Sequence, residues 1–137
     1  MMQGIKNLLE LKRKHFAVLF FLWVTCITVL SLVSFSELDT DIVQIPFADK
    51  ITHFVFYFGF VFLGSFWLGR TQVYFNMNKV LGVFLLGIAY GGFMELLQLT
   101  LTQDRAAEWA DMLFNLLGAS FAVLVVLRFN NGKEPLK

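Results

Sequence analysis

Four long apolar stretches separated by short charged segments organise the chain. Phe16 to Phe35 runs 20 residues without a charge, and Ile51 to Gly69 runs 19, interrupted only by His53. Val80 to Leu101 runs 22 residues with one ionisable group, Glu95. Met112 to Leu127 is the shortest at 16 and extends to Phe129 if Arg128 snorkels to the interface. A helix crosses the hydrocarbon core in about 17–25 residues. Lipid offers no partner for open backbone, so each stretch is expected to be an α-helix. The predicted architecture is all-α: an integral-membrane four-helix bundle over residues 16–129, with helices at about 16–35, 51–69, 80–101 and 112–129. Short loops join them, with tails at residues 1–15 and 130–137. The first stretch has the basic lead of a cleaved leader (Lys12, Arg13, Lys14) and small residues near its end (Ser34, Ser36). Leader cores run about 7–15 residues, so a retained helix fits its length better.

Composition agrees. Hydrophobic residues make up 58% of the 137 and charged residues only 15%, against about 25% in soluble domains. The formal net charge of +1 hides an asymmetry. Lys6, Lys12, Arg13 and Lys14 precede helix one, Arg70 and Lys79 lie between helices two and three, and Arg128, Lys133 and Lys137 follow helix four. The other two loops hold only Lys50 and Arg105, among Glu37, Asp39, Asp41, Asp49, Asp104, Glu108 and Asp111. Because basic residues mark the cytoplasmic side, both termini are expected inside. No basic field exists to hold nucleic acid. Trp67 and Trp109 lie near opposite ends of their helices, as interfacial anchors do. Cys26 is alone in the middle of the first stretch and excludes a disulfide within one chain.

Polar residues within the spans cluster toward one side of the membrane. Helix two begins Ala48-Asp49-Lys50-Ile51-Thr52-His53, helix three approaches its end as Glu95-Leu96-Leu97-Gln98, and helix four begins Ala110-Asp111-Met112-Leu113-Phe114-Asn115. Residues three or four apart share a helix face, which pairs Asp49 with His53, Glu95 with Gln98 and Asp111 with Asn115. Helical rise puts His53 roughly 3–6 Å, Asn115 roughly 5–8 Å and Glu95 roughly 9 Å below the outer boundary. Continuing the Glu95 face inward reaches Gly91 and Gly87, a G-x-x-x-G seam, and the Asp111–Asn115 face reaches Gly118 and Ala122. Small residues let membrane helices approach closely, so these faces are expected to look into the bundle. The Asp49–His53 face reaches Tyr57, Phe60 and Gly64.

These residues carry a resemblance. Asp49-Lys50 followed by His53, then Glu95-x-x-Gln98, then Arg105 leading to Asp111, Asn115 and Gly118, is similar to the signature of the VanZ-like family of small bacterial membrane proteins. The resemblance covers residues 48–119, three of the four helices. It implies a multi-pass protein of the bacterial inner membrane with an envelope role. The founding member of the family is associated with resistance to the glycopeptide teicoplanin, so antibiotic tolerance is implied too. Asp49, Lys50, His53, Glu95, Gln98, Arg105, Asp111, Asn115 and Gly118 are the positions it marks.

Several chemistries stay open. The first is binding at the outer leaflet. Lys50 and Arg105 would meet a phosphate, while Glu95, Gln98 and Asn115 would read the sugar, peptide or amine part of a lipid headgroup, a lipid-linked envelope precursor or a glycopeptide. The second is catalysis on a lipid-linked substrate, with Glu95 as general base and His53 as general acid. No G-x-S-x-G or paired cysteines accompany them. A metal on His53, Glu95 and Asp111 is disfavoured by ligand type, since catalytic zinc sites use more nitrogen or sulfur and H-E-x-x-H is absent. Neither a metal nor a cofactor is expected. A purely structural network, in which intramembrane polar groups join helix to helix, is the third reading. Glu95 is either ionised and paired with Lys50, Arg105 or protonated His53, or kept neutral by desolvation.

Overall fold

In a computed structural model the chain is all-helical over the described residues, which are 2–33, 47–71, 74–101 and 108–130. α1 spans Met2–Leu32, α2 Ala48–Gly64, α3 Met77–Leu101 and α4 Trp109–Asn130. α2 continues into a π-helical turn, Ser65–Gly69. Four segments are long and apolar enough to cross a membrane: Lys12–Leu32, Ala48–Gly69, Met77–Leu101 and Trp109–Phe129. Each of the second, third and fourth predicted helices begins three residues earlier than its apolar stretch, because the polar first turn is helical too. α1 continues back through its basic lead. Residues 34 and 35, the predicted end of helix one, lie outside the described residues.

Turn chemistry joins α2 to α3. Arg70 and Phe75 form an antiparallel bridge, and the Thr71 amide and hydroxyl both donate to the Tyr74 carbonyl, at 2.8 and 2.6 Å. The Asn76 side-chain oxygen accepts from the amides of Asn78 and Lys79, at 3.1 and 3.3 Å. It thereby satisfies donors that the first turn of α3 leaves open. At the other end α2 is entered through Phe47, whose φ of 64° is left-handed; for a bulky residue that conformation is strained.

Lipid reverses the usual partition of side chains. Leu22, Leu85, Leu99, Leu113 and Leu124 are exposed, while Ser31, His53, Ser65, Glu95, Gln98, Asp111 and Asn115 are buried. The apolar core between them is small and aromatic, built on Phe20, Phe56, Tyr57, Phe60 and Val61. α2 is central and meets the other three helices. Its closest neighbour is α4, where a Cβ added at Gly118 would collide with the Phe54 backbone. Gly87 rests on Phe60 and Val61, and Gly91 on Tyr57 and Asn115, so the G-x-x-x-G seam faces into the bundle.

α1 is tied in by polar bonds as well as apolar packing. The Trp23 indole donates to the Phe56 carbonyl at 2.9 Å, Thr28 and Tyr90 share a hydroxyl bond of 2.7 Å, and the Gln98 amide donates to the Ser31 carbonyl at 2.9 Å. Trp109 is 90% exposed, as an interfacial anchor is. Trp67 packs against Phe20 and Phe21, with centroids 5.4 and 5.2 Å away.

Candidate functional site

α2 and α4 run in the same direction. Lys50 meets Glu108 at one end, and the rings of Phe66 and Phe129 meet at the other, 6.0 Å apart. Their matching starts, Ala48-Asp49-x-x-x-His53 and Ala110-Asp111-x-x-x-Asn115, therefore lie side by side, with the first-turn carboxylates outermost and His53 and Asn115 one turn deeper. Helix N-termini stabilise negative charge, which suits Asp49 and Asp111 in these turns. α3 arrives from the opposite end and adds Glu95 from its last two turns.

His53 is the meeting point and is 6% exposed. Its Nδ1 donates to Asn115 Oδ1 at 3.0 Å, and Glu95 Oε1 lies 3.7 Å from the same nitrogen. The other ring nitrogen, Nε2, faces two carboxylates, with Asp49 Oδ1 and Asp111 Oδ2 each 3.9 Å away. Asn115 is 2% exposed and Glu95 is 6% exposed. Lys50 closes the outer edge: its ammonium donates to Glu108 at 3.0 Å and lies 3.8 Å from Asp111 Oδ1. Among the described residues the site thus gathers Asp49, Glu95, Glu108 and Asp111 around Lys50 and His53. Among these six described residues, carboxylates outnumber cations. A cleft of about 310 Å³ runs beside the cluster toward α1, lined by Leu30, Ser31, Ala48, Asp49, Thr52, His53 and Phe56.

Of the residues singled out from sequence, Asp49, Lys50, His53, Glu95, Asp111 and Asn115 come together. Gln98 is buried at the same end, but its amide is directed to α1 rather than to His53. Arg105, the second cation expected at a phosphate, lies outside the described residues. The metal set considered from sequence changes membership, because Glu95 approaches Nδ1 whereas Asp49 stands with Asp111 at Nε2. Sequence reasoning missed Ser31 and Thr52, which line the cleft, and used Glu108 only as an outer-loop charge. Thr52 had a signal in its place within the same polar first turn as Asp49. Ser31 had a weaker one, as a polar residue near the outer end of the first stretch.

The profile of the VanZ/LLP1 family matches residues 3–130, a range that takes in helix one as well as the three helices bearing the signature. No curated protein and no solved structure matches the chain.

Proposed function

The chain belongs to the VanZ/LLP1 family, and from that premise we propose that it is an envelope-associated accessory protein of the bacterial inner membrane that binds a lipid headgroup or a lipid-linked envelope precursor from the outer-leaflet side. One observation carries the binding role. His53, Glu95, Asp111 and Asn115 are buried together at one end of a bundle whose outside is apolar, next to a cleft large enough for a small polar group. Intramembrane ionisable groups are rare and mark sites of function. Kinship supports the envelope role, with glycopeptide tolerance as its extension.

The donor set favours one part of such a ligand. Lys50 is engaged by Glu108 and Asp111, so the cleft offers carboxylate, hydroxyl and imidazole to a ligand's hydroxyl, amide or amine groups. The test is native mass spectrometry of the full chain in detergent with phosphatidylethanolamine, phosphatidylglycerol and an undecaprenyl-linked precursor. One of these is expected to be retained, with affinity lower by roughly tenfold or more in Asp49→Asn, the loss of one charge-assisted bond, and by less in Thr52→Val, the loss of a neutral one. Equal retention of all three by wild type and variants would overturn the proposal. A covalent change in the precursor that depends on Glu95 and His53 would replace binding with catalysis.

A further inference from the structure

We propose that Asp49, His53 and Asp111 form a divalent-cation site whose imidazole is set by Asn115. The starting point is the tautomer of His53. An amide oxygen only accepts hydrogen bonds, so Asn115 Oδ1 at 3.0 Å places the proton of a neutral ring on Nδ1. Nε2 then presents its lone pair on the opposite side of the ring. There it faces Asp49 Oδ1 and Asp111 Oδ2, both at 3.9 Å, and the three donor atoms lie within 4.8 Å of one another.

Distances of 3.9 Å are too long for hydrogen bonds. Nε2 makes none among the described residues, although His53 is 94% buried by its 6% exposure. Nε2 and the Asp111 carboxylate are buried, and Lys50 reaches only the outer oxygen of Asp111, so the converging electron-pair donors repel one another unless a positive charge stands between them. A metal ion bound at about 2.0–2.2 Å supplies it, and places its ligands roughly 3–4 Å apart. A few tenths of an ångström of closure is enough, and Asp49, with a side chain 53% exposed, has the freedom to move.

The surroundings match those of a metal-bound histidine. Such a ring donates its second N–H to a fixed acceptor that sets its orientation; Asn115 does so here, and Glu95 Oε1 stands 3.7 Å from the same nitrogen. The second oxygen of Asp111 faces the Lys50 ammonium at 3.8 Å, which steadies that carboxylate from outside. The cleft along Asp49 and His53 gives the ion a route in and leaves coordination positions for water or ligand. One imidazole and two carboxylates suit an oxygen-preferring ion such as Mn²⁺ better than Zn²⁺, whose catalytic sites use more nitrogen or sulfur. The site needs no lipid. Only a consequence rests on the headgroup proposal: the ion would provide the positive charge toward a phosphate that Lys50, held by Glu108, does not.

The test uses the metal alone. The purified full chain in detergent is stripped with chelator, dialysed against Zn²⁺ or Mn²⁺ and subjected to elemental analysis, with Co²⁺ as a visible-absorption probe of nitrogen ligation. About one ion per chain is expected. His53→Ala should abolish binding, and Asp49→Asn, at an exposed position that leaves folding intact, should weaken it at least tenfold. Asn115→Ala should weaken it roughly 10–100-fold with all three ligands present. Absence of bound metal in wild type, or equal binding by wild type and Asp49→Asn, would overturn the site. The lipid experiment, repeated with chelator, keeps the two proposals apart: metal bound by the lipid-free chain supports the site whatever the lipid result, and lipid retained without metal overturns only the ion's contact with a phosphate.

Discussion

Asn115 decides which way His53 faces, and its removal has two separable effects. Asn115→Ala leaves a buried imidazole N–H without its acceptor, which destabilises by about 1–2 kcal/mol. Thermal unfolding in detergent should show this, and a shift no larger than that of a lipid-facing Leu85→Ala would argue against it. Glu95 poses the sharper question, because structural and functional roles both bury it. Glu95→Gln keeps shape and hydrogen-bonding capacity but removes charge. If the carboxylate serves a ligand, membrane abundance is unchanged while headgroup retention falls. Disappearance of Glu95→Gln from the membrane fraction would favour the purely structural network.

Between α2 and α4 the backbones themselves are in contact. Gly118 has no room for a Cβ against Phe54, whereas a Cβ at Gly82 would meet nothing within 4 Å. Gly118→Ala must therefore push α4 off α2, at a cost of about 1–3 kcal/mol, and pull Asn115 away from His53. Gly82→Ala should be neutral. Unfolding midpoints of the two variants test the packing, and equal midpoints would contradict it. The parallel course of these helices also gives meaning to their similar starts. Two polar first turns at the same level make one site, which two antiparallel neighbours would not. α1 contributes to that site through Ser31, which accepts from Gln98 and lines the cleft.

For the molecule as a whole, polar groups lie inside and leucines outside, which is stable only with lipid as the surrounding solvent. From the basic residues we propose that the end bearing the site faces outward. In cells whose Cys26 has been replaced, an impermeant thiol reagent added from outside should label Trp109→Cys, at the end bearing the site, and miss Tyr74→Cys in the opposite loop. Both positions are exposed. The reverse labelling would invert the topology and place the site at the cytoplasmic face.

Fold class was legible from the chain because membrane insertion is a local rule. A run of about 20 apolar residues must be a helix wherever it falls, and the four stretches needed no knowledge of their neighbours. The pairing of polar residues on shared faces was legible too, since helical periodicity is local, and it brought Asp49, His53, Glu95, Asp111 and Asn115 into view before any contact was known. Helix order and rotation were not legible, because side-chain packing sets them: Gly118 against Phe54, Gly91 against Tyr57. From that packing alone come the pairing of Lys50 with Glu108, Gln98 directed to α1, and Glu95 and Asp49 on opposite nitrogens of one imidazole. Spacing along a helix says which residues share a face; what that face meets depends on the helix beside it.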